Sequence, residues 1–289
     1  MTWRAAIGGL FVGLIVAVGV ARGRRLTSIR GLPRRARAAL LVATLSGIVL
    51  NLSLFAAFSR VTVALALLAF YTYPAIVTVV VVVRERTRPD GVQLAALGMA
   101  LLGMTVVVLG SIDPAAGVSV DPVGLGLALV AAATQTVFIL VSRHGYGALP
   151  SDESVLVILG GGAAGFVALA LVAGSSAAIL DPVGTPGAWP YLLLGGVVGA
   201  GIPTTLFIVG VRRIGGVRTS ILAMLEPVTG TILAALVLGE TLRPVQVVGG
   251  ALVIAAGIIL HRSPAPGGGL PGRSGEAPDD ALIETLPLV

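Results

Sequence analysis

The chain has 289 residues, 56% hydrophobic and 11% charged, with a mean hydropathy of +1.03; this excludes an ordinary soluble domain and points to a polytopic membrane protein. The formal charge of +6 comes from nineteen basic residues, all arginine. They fall almost wholly between apolar runs and so report topology rather than nucleic-acid binding, and the lack of cysteine excludes disulfides and thiolate metal sites.

In chain order, the first apolar run is Ala5 to Ala21, just long enough to cross a bilayer. Gly19 and Ala21 also fit a signal-peptide cleavage site. The following cluster of Arg22, Arg24, Arg25, Arg30, Arg34, Arg35 and Arg37 outweighs Arg4 and favours a retained helix with its N-terminus outside. Further spans are expected at Ala38 to Phe58, Thr62 to Val83, Gly91 to Gly110, Val120 to Ser142, Ser154 to Ala173, Ala188 to Gly210, Val217 to Leu238 and Pro244 to Leu260. That makes nine.

Sides follow from the arginines. The loops 22–37, 84–90, 143–153 and 211–218 and the C-terminal tail hold sixteen, against Arg4, Arg60 and Arg243 on the opposite side. The arginine-rich side is therefore expected to be cytoplasmic, with Trp3, Trp189 and Tyr191 near the outer interface. Residues 263–289, rich in Pro and Gly, are expected to form a disordered cytoplasmic tail.

Of thirteen acidic residues only Glu226 lies deep in an apolar span, followed at once by Pro227. An ionisable group at that depth costs on the order of a few kcal/mol and is expected to face a cavity or a partner. It is either a substrate or proton site, or a structural residue bonded to backbone that Pro227 loosens. The stretch Phe58 to Leu109 parallels Val211 to Leu260, with Pro74 matching Pro227 and Gln93 matching Gln246. Both prolines are expected to shape their helices. The two copies run in opposite directions, as in alternating-access transporters.

Other polar residues within spans are Asn51, Thr134, Gln135, Thr136, Thr204, Thr205, Thr219 and Ser220. Asn51, Gln135, Thr219 and Ser220 are candidates for a substrate cavity, and interhelical hydrogen bonding is the competing role for all eight. Tyr71 and Tyr73 suit an amphipathic ligand, but residues two apart diverge on a helix, so only one is expected to face a cavity. Glu85 and Glu240 are expected to act in local capping and ion pairs, and His144 and His261 to meet terminal carbonyls. Gly9 with Gly13, Gly161 with Gly165 and Gly195 with Gly199 fit close helix packing.

No GxxxxGK[ST], HExxH or GxSxG motif and no Cys/His constellation occurs, so no enzyme, no cofactor and no ATP-driven transport is expected.

The segment GVRRIGGVRTSILAMLEPVTGTILAALVLGETLRPVQVVGGALVIAAGIIL, with its central proline, a Glu at the far end and a Gly-rich closing span, resembles the EamA-type repeat of the drug/metabolite transporter superfamily. The stretch from Phe58 is a weaker copy. The resemblance covers nearly all of Ala5 to Leu260 and implies an all-α inverted repeat of five plus five helices around a central cavity for small metabolites. It places the first repeat at 1–110 and the second at 120–260, with the family's first helix lacking a counterpart. The expectation is that sequence upstream of Met1 supplies that helix; a truncated variant is the alternative.

The function expected is a secondary carrier, an exporter of small organic metabolites or amino-acid-like compounds across a bacterial inner membrane. The rival is a non-transporting assembly or regulatory protein with the same fold. Expected partners are a small-molecule substrate and the lipid bilayer, not nucleic acid; a homodimer is left open.

Overall fold

The computed structural model describes residues 1–86, 90–112, 120–239 and 241–262. The tail from 263, Glu240 and most of the segment 111–119 lie outside the described residues. Among the described residues there is no strand, and nine helical stretches are long and apolar enough to cross a membrane.

The first spans are α1 (Thr2–Ala21) and α2 (Arg34–Phe58). The third is split into α3 (Val63–Phe70) and α4 (Tyr73–Glu85). Then come α5 (Gly91–Gly110), α6 (Pro122–His144) and α7 (Ser151–Val172). A short α8 (Ser176–Leu180) follows. The next span is α9 (Trp189–Gly196), a π-helical turn (Val197–Gly201) and α10 (Ile202–Ile214). The eighth is split into α11 (Gly216–Ala223) and α12 (Leu225–Leu238), and α13 (Pro244–Arg262) closes the fold.

The two splits have one cause. A proline ring strikes the carbonyl four residues back and supplies no N–H. Four residues before Pro74 is Phe70, where α3 ends; four before Pro227 is Ala223, where α11 ends. At a rise of ~1.5 Å per residue, each break lies about 12–14 Å from the start of its span, near the bilayer midplane. Past each break the helix resumes alike: Thr78 and Thr231 both donate to the carbonyl of their repeat's proline, at 2.8 Å.

Repeat counterparts pack on each other. α5 runs along α13 and α1 along α7, and α4 contacts α11, the counterpart of its neighbour α3. The α5–α13 crossing is close, because glycines face each other across it. A Cβ on Gly103 would sit 2.6 Å from the Gly249 carbonyl oxygen, and one on Gly249 2.6 Å from the Gly103 oxygen. α2 packs along α6.

The glycine pairs read from spacing behave unequally. Gly161 and Gly165 press on Thr44 and Ile48, and Gly9 and Gly13 on the α7 surface. Gly195 and Gly199 have nothing within 4 Å of an added Cβ; Gly196 and Gly201 meet α1 instead, against Ile7, Gly8 and Phe11. The π turn adds a residue to its coil and rotates the small face, which a 3.6-residue period does not register.

Candidate functional site

The two ends of the bundle differ. At the arginine-rich end the α6–α7 turn is packed shut, with Tyr146 and Leu149 each 1% exposed. Arg212 of α10 donates to the carbonyls of Leu149 (2.8 Å), Ser142 (3.4 Å) and Tyr146 (3.4 Å) and to the hydroxyls of Ser154 (3.0 Å) and Ser151 (3.2 Å). Its guanidinium also lies over the Tyr146 ring, 5.1 Å from the centroid. Burial pushes the Tyr146 phenol above its ordinary value, so it remains a neutral hydroxyl paired with Ser142 at 2.6 Å.

Ion pairs join the repeats at this end: Arg24 with Asp152 (2.6 Å) and Glu153 (3.1 Å), and Arg143 with Glu85 (3.0 Å). The hydrogen bond to Asp152 raises the Arg24 pKa. Arg218, expected in a loop, is a buried residue of α11, because a single residue, Gly215 at φ +85°, turns α10 into α11.

From the midplane toward the arginine-poor end runs a cavity of about 410 Å³. α1, α2, α3, α6, α7 and α10 line it, together with the residues at both proline breaks. Its polar wall holds Arg4, Asn51, Tyr71, Tyr73, Gln135, Thr204 and Glu226, and its apolar wall includes Phe70, Phe138 and Phe207. Tyr73 and Glu226 occupy the same repeat position, the residue just before the proline. One break thus supplies a phenol and the other a carboxyl.

Both tyrosines line the cavity, which corrects the expectation of one. Two residues apart diverge only on a continuous helix; α3 stops at Phe70 and α4 begins at Tyr73, so the rings come within 6.1 Å of each other. Phe70 meets Tyr71 edge-on and Tyr73 at a tilt, each with ring centroids 5.2 Å apart. The Glu226 carboxyl shares this cavity with Tyr71 and Arg4, and its side chain remains open to the cavity rather than packed.

Thr219 and Ser220 lie away from this wall. Both are buried in α11 and donate to carbonyls of their own segment, Gly215 and Val217, each at 2.8 Å. Thr134, Thr136 and Thr205 likewise bond to Val130, Ala132 and Gly201, four residues back on the same chain segment. A threonine hydroxyl reaches that carbonyl without a neighbouring helix, so interhelical bonding is not the use made of them. Pro74 and Pro227 sit in the first turns of α4 and α12, just past the breaks.

Arg4 is the charged cavity residue that sequence reasoning missed. Counted only as a topology marker, it carried one signal: a charge within the first turn of a span on the side where arginine is scarce. Among the described residues no group of three or more His, Cys, Asp or Glu could hold a metal.

Comparison with known proteins agrees with this architecture. A solved crystal structure superposes with a TM-score of 0.70 over 90% of this chain and 85% of that one, at 20% identity, which speaks to the fold alone. An uncharacterized transporter of Archaeoglobus fulgidus is 34% identical over 79 residues, a stretch covering 27% of this chain and 29% of that protein. The model of the EamA-like transporter family matches residues 1–109 and 122–262. With two matched stretches spanning most of the molecule, this multi-pass membrane protein belongs to the EamA-like transporter family.

Proposed function

We propose that the protein is a secondary transporter that exports small organic metabolites, amino-acid-like compounds among them, across a bacterial inner membrane by alternating access. The observation that carries this reading is the mid-span cavity built from equivalent positions of two oppositely oriented repeats, Tyr73 and Glu226 at its base. A volume of about 410 Å³ suits a small molecule and falls within the usual range of ligand pockets. Aromatic faces take an apolar body while a few polar groups orient it. The arginine-rich end is read as cytoplasmic, so the cavity lies on the outward side, and the ion pairs of Arg24 and Arg143 hold the inner side shut.

Glu226 is the proposed proton site. Its carboxyl is the acidic group in the cavity wall, and protonation there changes the charge that the substrate meets. In proteoliposomes loaded with a mixture of labelled L-amino acids, efflux of the wild-type protein should depend on pH. Glu226→Gln should insert normally and lose that dependence. Unchanged pH dependence in the variant removes Glu226 from the coupling role, and no flux of any mixture component from the wild type overturns the substrate reading.

A further inference from the structure

Three arginines lie on the arginine-poor side: Arg4, Arg60 and Arg243. Two have local structural work. Arg60 pairs with Asp121 at 3.3 Å and so joins the α2–α3 turn to the start of α6. Arg243 donates to the carbonyls of Gly110 (3.3 Å) and Ile112 (2.8 Å) and thereby fastens α13 to the end of α5. Arg4 does neither. It stands in the first turn of α1 and lines the cavity. An arginine at a helix end ordinarily extends its head group to the membrane interface; this one turns inward.

Its orientation is held by a second residue. The Asn51 amide nitrogen donates to the Gly47 carbonyl of its own helix at 2.8 Å, which directs the amide oxygen outward. That oxygen accepts from Arg4 Nη2 at 3.3 Å. A guanidinium carries five N–H donors in a planar fork, and this bond uses one of them while the residue borders open cavity volume. The carboxylate that lines the same cavity, Glu226, belongs to the opposite repeat. The cavity therefore has a cationic station near its mouth and an acidic one at its base.

We infer that Arg4 is a specificity-determining residue, with Asn51 as its positioning residue, and that it receives the carboxylate of a zwitterionic substrate whose amine lies toward Glu226. This rests on the transport reading above and narrows its substrate class. Planar bidentate recognition of carboxylate is what arginine does and lysine does poorly. A substrate carrying amine alone would leave Arg4 without its anion, and one carrying carboxylate alone would leave Glu226 without its cation.

The test compares the proteinogenic L-amino acids with their amides, as ligands that raise the melting temperature of the purified full chain in detergent. The wild type should be stabilised by at least one acid, with an apparent affinity about tenfold or more above that of the matching amide, the scale of one charge-assisted contact. Arg4→Gln should erase that preference by weakening the acid while leaving the amide unchanged. Arg4→Lys should restore part of it. Asn51→Ala, which keeps the charge and frees the guanidinium, should give an intermediate loss, and it carries the test if Arg4→Gln does not fold. An acid-to-amide preference equal in wild type and variants overturns the role of Arg4 and leaves the transport reading standing. Failure of every acid and amide to bind the wild type overturns the amino-acid-like substrate class and this inference with it.

Discussion

Gly103→Leu should abolish the folded, monodisperse protein in detergent. The Cβ alone would stand 2.6 Å from the Gly249 carbonyl oxygen, 2.9 Å from Leu252 Cβ and 2.9 Å from Val253 Cγ2. These belong to the facing helix, and the nearest is backbone, which cannot rotate aside as a flexible side chain would. Relief requires α5 and α13 to separate along an interface that holds buried Ala96, Ala100, Met104 and Val107 against Val253 and Ala256. Overpacking of a well-packed core typically costs about 1–3 kcal/mol, and a whole leucine against backbone belongs above that range. The control is on the same helix. Gly98 is exposed, with nothing within 4 Å of an added Cβ, so Gly98→Leu should elute and melt like the wild type. Size-exclusion profiles and melting temperatures of the two variants decide it. Equal behaviour of the pair would show that the α5–α13 approach is not what holds these helices.

Arg212→Ala should be the second large loss, of about 2–4 kcal/mol, because several charge-assisted hydrogen bonds disappear together. The half-buried guanidinium serves three carbonyls and two hydroxyls around the α6–α7 turn. Removing it leaves the Tyr146 and Leu149 carbonyls, in a turn whose side chains are buried, without that donor. Arg212→Lys should recover little, since an ammonium cannot span the fan of acceptors or stack over Tyr146. The measurement is the apparent melting temperature, read beside limited proteolysis at residues 145–150. Proteolysis of that turn as slow in Arg212→Ala as in the wild type would assign the closure of this end to apolar packing instead.

Much of the fold was open to sequence reading because a bilayer imposes few solutions. Apolar runs of about twenty residues become helices since no other element satisfies the backbone in hydrocarbon. Arginine clusters mark the ends, and opposed copies of one pattern imply an inverted repeat. Glu226 stood out for the same reason, because a charge at that depth is costly unless it faces polar space. Pro74 and Pro227 were legible as helix-shaping residues from their lack of an N–H.

Three-dimensional packing decided what local pattern could not. Whether both tyrosines face one cavity depends on how far α3 and α4 rotate across the break, and that is settled by neighbours such as Phe70 rather than by helical period. Whether a threonine hydroxyl reaches a neighbouring helix or its own carbonyl depends on what stands opposite; Thr219 and Ser220 took the carbonyl. Whether Arg4 snorkels or turns inward depends on Asn51, 47 residues away in the chain. The sequence by itself determined that this protein spans a membrane as opposed helical repeats with one deep carboxylate, because hydrocarbon penalises each unpaired polar group residue by residue. Only the tertiary structure decided which polar groups meet in one cavity, because that meeting is made by the rotation and close approach of helices distant in the chain.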